Sequence, residues 1–155
     1  MTSTIVESID VRVPVRTAYN QWTQFEDFPQ FMENVERVDQ LDDRRLHWVA
    51  TIAGRTKEWD AEITEQTPDK RVAWTSTSGA QNAGVVTFHR LDDNMTRVTV
   101  QMDVEPEGAV ETVGTAAGLA DREVKGDLER FKAFIESRGQ ETGAWRGEVE
   151  QKDLS

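Results

Sequence analysis

Cysteine is absent from the 155 residues. That excludes disulfides, thiolate nucleophiles and thiolate metal sites, and it fits a cytoplasmic setting. Histidine is nearly absent. His47 and His89 stand alone, without H-x-x-x-H spacing, and a metal centre needs three or four converging ligands, so no metal is expected. No glycine-rich phosphate loop and no nucleophile elbow occur, which leaves no motif for a nucleotide cofactor or a serine hydrolase. Positive charge is scarce: 18 basic residues against 29 acidic ones give a net charge of −11. Such a chain is repelled by DNA and by anionic membrane surfaces. No run approaches the ~18 consecutive apolar residues of a membrane span, so integral membrane association is not expected. The first ten residues, MTSTIVESID, lack the basic and apolar regions of a signal peptide.

What the sequence does have is tryptophan, five in a small acidic protein, more than a core of this size requires. It also has one long amphipathic stretch, from Val110 to Arg138, around which the rest is organised. Val113, Ala117, Ala120, Val124, Leu128, Phe131 and Ile135 recur at three- and four-residue steps, the stripe of a helix with one buried face. At ~1.5 Å per residue this helix would run ~40 Å and needs a partner surface of similar length. Gly114, Gly118 and Gly126 interrupt it, which marks either a close approach or a kink, since interior glycine costs ~1 kcal/mol against alanine.

The partner surface is legible upstream. In TIVESIDVRV (4–13), Ile5, Ile9, Val11 and Val13 share a period-two face, and Glu7 falls in the same phase. Pro14 ends this strand. Two short helices are predicted between Val15 and Asn34, the second carrying Phe25, Phe28, Phe31 and Met32 with Asp27 as N-cap. From Val35 the period returns to two through six more strands, punctuated by turns at Asp42-Asp43, Gly54, Pro68-Asp69, 79–82 and Asp92-Asp93-Asn94. Consecutive hairpins with segregated helices predict an α+β fold with an antiparallel sheet. The stretch 139–155 has no period and is mostly polar, so a mobile tail is expected, with Trp145 as its one apolar anchor.

The stretches VPVRTAYNQWTQFEDFPQFMENVERV (13–38), LHWVATIAGRTKEWDAEITEQTPDKRVAWTS (46–76), GVVTFHRL with TRVTVQMDVEP (84–91, 96–106) and DLERFKAFIE (127–136) occur in an order that resembles the START-like, or SRPBCC, superfamily. This superfamily includes lipid-transfer START domains and the birch-pollen allergen class. The resemblance is nearest to its bacterial polyketide cyclase/dehydrase branch, which also holds coenzyme Q-binding START-like proteins. It implies a helix-grip fold over 1–138, in which a seven-stranded curved sheet wraps the C-terminal helix, with a cavity between them for a lipid, quinone, polyketide or other apolar molecule. The superfamily has few universal catalytic residues, so no catalytic set is carried over from it; no cofactor is expected, and a fold alone does not give a function.

Strand and helix phase then nominate the cavity wall: Phe31, Leu46, Trp48, Trp59, Ala61, Trp74, Phe88, Val100, Met102, Val124 and Leu128. Each of these is also an ordinary core candidate, while together they describe an apolar pocket on a curved sheet. Polar candidates are few. Glu7, Tyr19 and Arg90 are the available acid/base groups, with Arg90 also a candidate partner for Glu7. The leading expectation is a binding module for a small apolar or amphipathic ligand. The alternatives are a polyketide aromatase/cyclase or dehydratase, and an interaction protein like the ribosome-associated toxins of the same superfamily. The last would use Arg44, Arg45, Arg55, Lys57, Lys70 and Arg71, if these cluster at one end.

Overall fold

Pro14 ends one element and begins the next. In the computed structural model it follows strand β1 (Ser3–Val11) and accepts, through its carbonyl, the first bond of helix α1 (Val15–Trp22), from Ala18 N at 3.1 Å. The structure describes residues 3–52, 54–79, 82–104 and 113–149, with the backbone alone over 113–121. After α1, a 3-10 turn spans Phe25–Gln30. Strands β2 (Val35–Gln40), β3 (Arg45–Ile52), β4 (Arg55–Thr67), β5 (Arg71–Gly79), β6 (Asn82–Asp92) and β7 (Met95–Val104) follow, and helix α2 spans Val113–Arg138.

The seven strands form one antiparallel sheet in the order β1-β7-β6-β5-β4-β3-β2. Every neighbour is a sequential hairpin except β1, which closes the far edge against β7. Register shifts in β2, between β4 and β5, and late in β6 bend the strands, because a bulge adds a residue to one side of a ladder and increases local twist. The result is a curved sheet with α2 on its concave face, the expected helix-grip architecture.

The expected helical stripe is present where side chains are described. Leu128, Phe131 and Ile135 are fully buried and Val124 is half-buried; Val113, Ala117 and Ala120, like Gly114 and Gly118, lie outside the described side chains. Leu128, Phe131 and Ile135 share one core with Val72, Val86, Phe88, Val98 and Val100 from the sheet and Tyr19, Trp22, Phe25, Phe28 and Phe31 from the short helices. Aromatic edges lock the junction: Trp22 and Phe131 cross at 5.0 Å and 73°, Phe31 and Phe131 at 5.2 Å and 66°, geometries worth about 0.5–1.5 kcal/mol each beyond buried area. Polar contacts pin α2 to the β1 edge, with Lys132 Nζ donating to Asp10 O at 3.0 Å and Arg12 N to Glu136 Oε2 at 2.8 Å.

Two local expectations are corrected. The second helix is a 3-10 turn preceded by Gln24, not an α-helix capped by Asp27; Pro29, which lacks an N–H, sits inside a segment too short to form an α-helical ladder. The Asp27 carboxylate accepts instead from Gln30 and from Thr142 Oγ1.

The second correction concerns the tail. From Gly139, which turns at φ +72°, residues 140–149 run back across α1 to the β4–β5 hairpin as a strap. Trp145 packs on the core and Val149 is 4% exposed. Asn20 Nδ2 donates to Glu141 Oε1 at 2.8 Å, Thr142 N to Gln21 Oε1 at 2.9 Å and Trp145 N to Thr23 Oγ1 at 3.0 Å. Val149 and Gln66 exchange both backbone bonds, at 2.7 and 2.9 Å. A polar segment without periodicity therefore docks by matching polar groups one by one, a signal that hydrophobic patterning does not carry. Residues 150–155 lie outside the described residues.

Candidate functional site: an aromatic wall on the concave face

The residues nominated for the cavity wall divide in two. Phe31, Leu46, Ala61, Phe88, Val100 and Leu128 are all buried, packed among core neighbours at the end of the sheet that α1 closes. Trp48, Trp59, Trp74, Met102 and Val124 are only half-buried. Cross-strand register explains why they group together. Trp48 faces Trp59 across β3–β4, and Trp74, Gly84 and Met102 form one row across β5, β6 and β7. Directly opposed residues share a face, so three indoles and a thioether line the concave side at the end away from α1.

The wall is built with definite geometry. The Trp48 and Trp59 rings stack at 5.6 Å with planes 9° apart, and Phe28 meets Trp48 at 5.6 Å and 52°. Trp74 Nε1 donates to Asn82 Oδ1 at 2.9 Å, which fixes the ring's tilt and partners its one polar atom. The ring lies against β6 at Gly84, where a Cβ would meet Gln101 O at 2.5 Å and Trp74 Cη2 at 2.9 Å. Glycine is therefore needed there for space, so that an indole can lie flat against the neighbouring backbone.

Charged groups reach the same face. Glu7 lies opposite Val100, one row from Met102, and is half-buried. Lys57 lies opposite Ala50 in the face that holds Trp48 and Trp59, also half-buried. Sequence reading counted Lys57 among the basic hairpin residues and not on this wall, although its phase with Trp59, Ala61 and Ile63 was available. The other polar candidates lie elsewhere. Tyr19 is fully buried, with its ring edge-on to Phe88 at 5.4 Å and its hydroxyl near Gln66 beneath the strap. Arg90 is exposed, opposite Thr96 near the β6–β7 turn, and paired with Asp93. It therefore stands four residues along the sheet from Glu7's row, about 13 Å at ~3.3 Å per residue, and cannot be its partner. Nor do the basic hairpin residues gather at one end. The antiparallel topology puts Arg55 and Lys57 opposite Arg44, Arg45, Lys70 and Arg71, and Arg45 and Arg71 are paired with Asp42 and Glu65.

Beside the wall, α2 is fastened to the segment that follows the 3-10 turn. Arg130 Nε donates to Phe31 O at 2.9 Å, its Nη1 lies 3.2 Å from Glu33, and its Nη2 lies 2.6 Å from Asp127. Asn34 Nδ2 donates to Glu123 Oε1 at 2.7 Å. Burial raises the Asp127 carboxyl to about 6 despite the guanidinium beside it, and burial with the neighbouring Asp127 charge raises Glu123. A Cβ at Gly126 would meet the Arg130 side chain, at 3.2 Å, and no backbone of another element, so close helix packing is not its role.

The outer face of the sheet carries the remaining polar constellation. His47 sits between two carboxylates, with Nδ1 2.7 Å from Asp60 and Nε2 3.1 Å from Glu58, while Ser78 Oγ donates to the other Asp60 oxygen at 2.8 Å. This is not a serine–histidine–acid relay, because the aspartate stands between the other two. An open hollow at Ser8, Ile9, Asp10 and Arg97 holds the Arg97–Asp10 ion pair at 2.8 Å, with Ile9 its one apolar residue. Among the described residues no cluster of histidine and carboxylate side chains suits a metal ion, and no helix is long and apolar enough to cross a membrane.

Comparison with known proteins fits this geometry. The profile of the family described as "Polyketide cyclase / dehydrase and lipid transport" matches residues 11–133. The chain belongs to this family. An uncharacterised 17.2 kDa protein from the melC2-rnhH intergenic region of Streptomyces lincolnensis is 63% identical over 148 residues, covering 95% of this chain and 99% of the relative. A START superfamily protein from Mycobacterium smegmatis superposes with a TM-score of 0.80 at 14% identity, over 87% of this chain and 98% of that one. The Zhui aromatase/cyclase from Streptomyces sp. R1128 superposes with a TM-score of 0.78 at 14% identity, over 94% and 100%. At such identities the superpositions establish the START-like fold and nothing about chemistry. The strap lies beyond the 11–133 stretch that the family profile matches.

Proposed function

We propose that this member of the polyketide cyclase/dehydrase and lipid transport family binds a small apolar or amphipathic molecule between the concave sheet and α2, against Trp48, Trp59 and Trp74. One observation carries the reading: the three indoles stay half-buried on the inner face while Leu46, Ala61 and Val72, each two residues along the same strands, are packed to completion. Apolar surface left partly uncovered inside a grip is what a ligand would cover, at ~25 cal/mol per Å². Lys57 and Glu7 on the same face favour an amphipathic ligand, one with a polar end beside an apolar or planar body.

The test is a tryptophan-fluorescence titration of the purified chain with fatty acids, quinones and fused-ring aromatic polyketides, alongside mass spectrometry of solvent extracts. Saturable quenching by one class, lost in Trp48→Ala or Trp74→Ala, supports the reading. No quenching by any class overturns it.

A cyclase or dehydratase is the second reading. The observation that favours it is Glu7, a half-buried carboxylate on the wall's own face, positioned as a general acid or base. Tyr19 and Arg90 cannot join it there. Glu7→Gln separates the two readings: a cyclase loses turnover and keeps affinity, whereas a binding protein has no turnover to lose.

A further inference from the structure

Beneath the strap, four buried polar atoms have no hydrogen-bond partner: Tyr19 Oη, Gln66 Oε1, Gln66 Nε2 and Asp69 Oδ1. Tyr19 is 0% and Gln66 1% exposed. Buried polar atoms are almost always satisfied, and a local cluster of exceptions needs a physical explanation. The four atoms form one locality. The Gln66 amide lies close enough to the Tyr19 hydroxyl to lower its pKa against the stronger upward push of burial, though neither amide atom meets hydrogen-bonding geometry. The Asp69 charge acts on the same phenol. Arg146 of the strap roofs the set, with its guanidinium 5.6 Å over the Tyr19 ring, Nη2 2.7 Å from Asp69 Oδ2 and Nη1 2.6 Å from Asn20 Oδ1.

We propose that Tyr19, Gln66 and Asp69 form a polar chamber that holds one or two internal water molecules, and that the strap seals it through Arg146. The donor and acceptor inventory selects the ligand class. The Tyr19 hydroxyl and the Gln66 amide nitrogen offer protons, whereas the Gln66 carbonyl and the Asp69 carboxylate accept them. A cation is disfavoured by the adjacent guanidinium, and an anion by the carboxylate. A hydrocarbon would leave all four atoms unpartnered. A neutral molecule that both donates and accepts satisfies the set, and water is the smallest such molecule. The strap suits the role of seal, since it covers Asn20, Gln21, Thr23 and Gln66, each 2% exposed or less. The proposal does not rest on any ligand at the tryptophan wall.

The proposal is tested on the full chain by oxygen-17 relaxation dispersion of water, with water-to-amide Overhauser spectra at the Gln66 side chain. Wild type should show long-lived water, and Tyr19→Phe/Gln66→Leu should reduce the long-lived amplitude by one or two molecules. Arg146→Ala leaves the chamber residues in place and should shorten the residence time at least tenfold. If the double variant fails to fold, Tyr19→Phe alone with the Gln66 Overhauser signal decides. Equal amplitude in wild type and variant, a Gln66 amide bonded directly to Tyr19, or an unchanged residence time in Arg146→Ala would overturn the proposal.

Discussion

The Asp127 carboxylate lies 2.6 Å from the Arg130 guanidinium, and yet burial still raises its pKa to about 6. The desolvation of a carboxylate wedged between helix and loop outweighs a close cation. Because the folded value lies above the ordinary 3.8, the protonated form is the one folding favours. Its stabilising contribution is complete below about pH 3.8 and lost as pH rises through about 6. Wild type minus Asp127→Asn should therefore lose stability between pH 4 and 7, by up to about 3 kcal/mol for a carboxyl raised from 3.8 to about 6. Urea unfolding of both chains at several pH values measures this, and parallel pH profiles would refute it.

His47 shifts in the same direction for a different reason. Hydrogen bonds to Asp60 first and Glu58 second hold the imidazolium, so its pKa rises above 6.5. That contribution is complete below about 6.5 and vanishes as pH passes the folded value. His47→Gln should then destabilise the chain at pH 5.5 and leave it nearly unchanged at pH 9, with a small effect because the pair faces solvent. Proton NMR of the His47 ring should show a midpoint above that of Asp60→Asn.

Gly84→Ala should cost about 1–3 kcal/mol, the range for forcing atoms into a packed site. Its Cβ would meet Gln101 O at 2.5 Å and the Trp74 ring at 2.9 Å, so the indole must leave the sheet and its bond to Asn82. A changed Trp74 environment, read in Trp74-assigned indole N–H spectra, should accompany the loss. The substitution should also weaken any ligand that quenches the wall, about tenfold or more, equivalent to ~1.4 kcal/mol.

Ending the chain at Gly139 should lower the unfolding midpoint by about 5–15 °C. The strap contributes the burial of Val149 and of part of Trp145, together with partners for Asn20, Gln21, Thr23 and Gln66. Losing them is worth roughly 2–4 kcal/mol, since each buried polar group left unmatched costs about 1–3 kcal/mol unless water reaches it. Calorimetry of the two chains decides, and an unchanged midpoint would show the strap to be energetically idle.

Periodicity was informative wherever burial followed a fixed spacing. The alternation of Val98, Val100 and Met102 and the stripe of Leu128, Phe131 and Ile135 are legible because one face of each element is apolar and the other is not. The inward phase of Trp48, Trp59 and Trp74 could be read the same way. What phase could not tell was how deeply each residue lies, so Leu46 and Trp48, two apart in one strand, looked equivalent although only the second is left half-open. Arg90 shared an inward phase and still escaped it, because the strand register slips between Arg90 and Asp92 and the side chain turns to Asp93 beside the hairpin. The strap and the Arg130–Asp127–Glu123 fastening were invisible for a common reason. They join polar residues far apart in sequence, and no local spacing records such partners.

The stacked indoles of Trp48 and Trp59, 5.6 Å apart and 9° from parallel, have one more consequence. Two identical chromophores this close share their excited states, so the pair absorbs and rotates polarised light as a coupled unit rather than as two independent rings. The protein thus contains an optical gauge on its inner face. Anything that slides between, tilts or separates the two rings changes the coupled circular-dichroism bands of this pair, distinct from the signals of Trp22 in the core and Trp145 in the strap. Occupancy of the grip can therefore be followed without attaching a label.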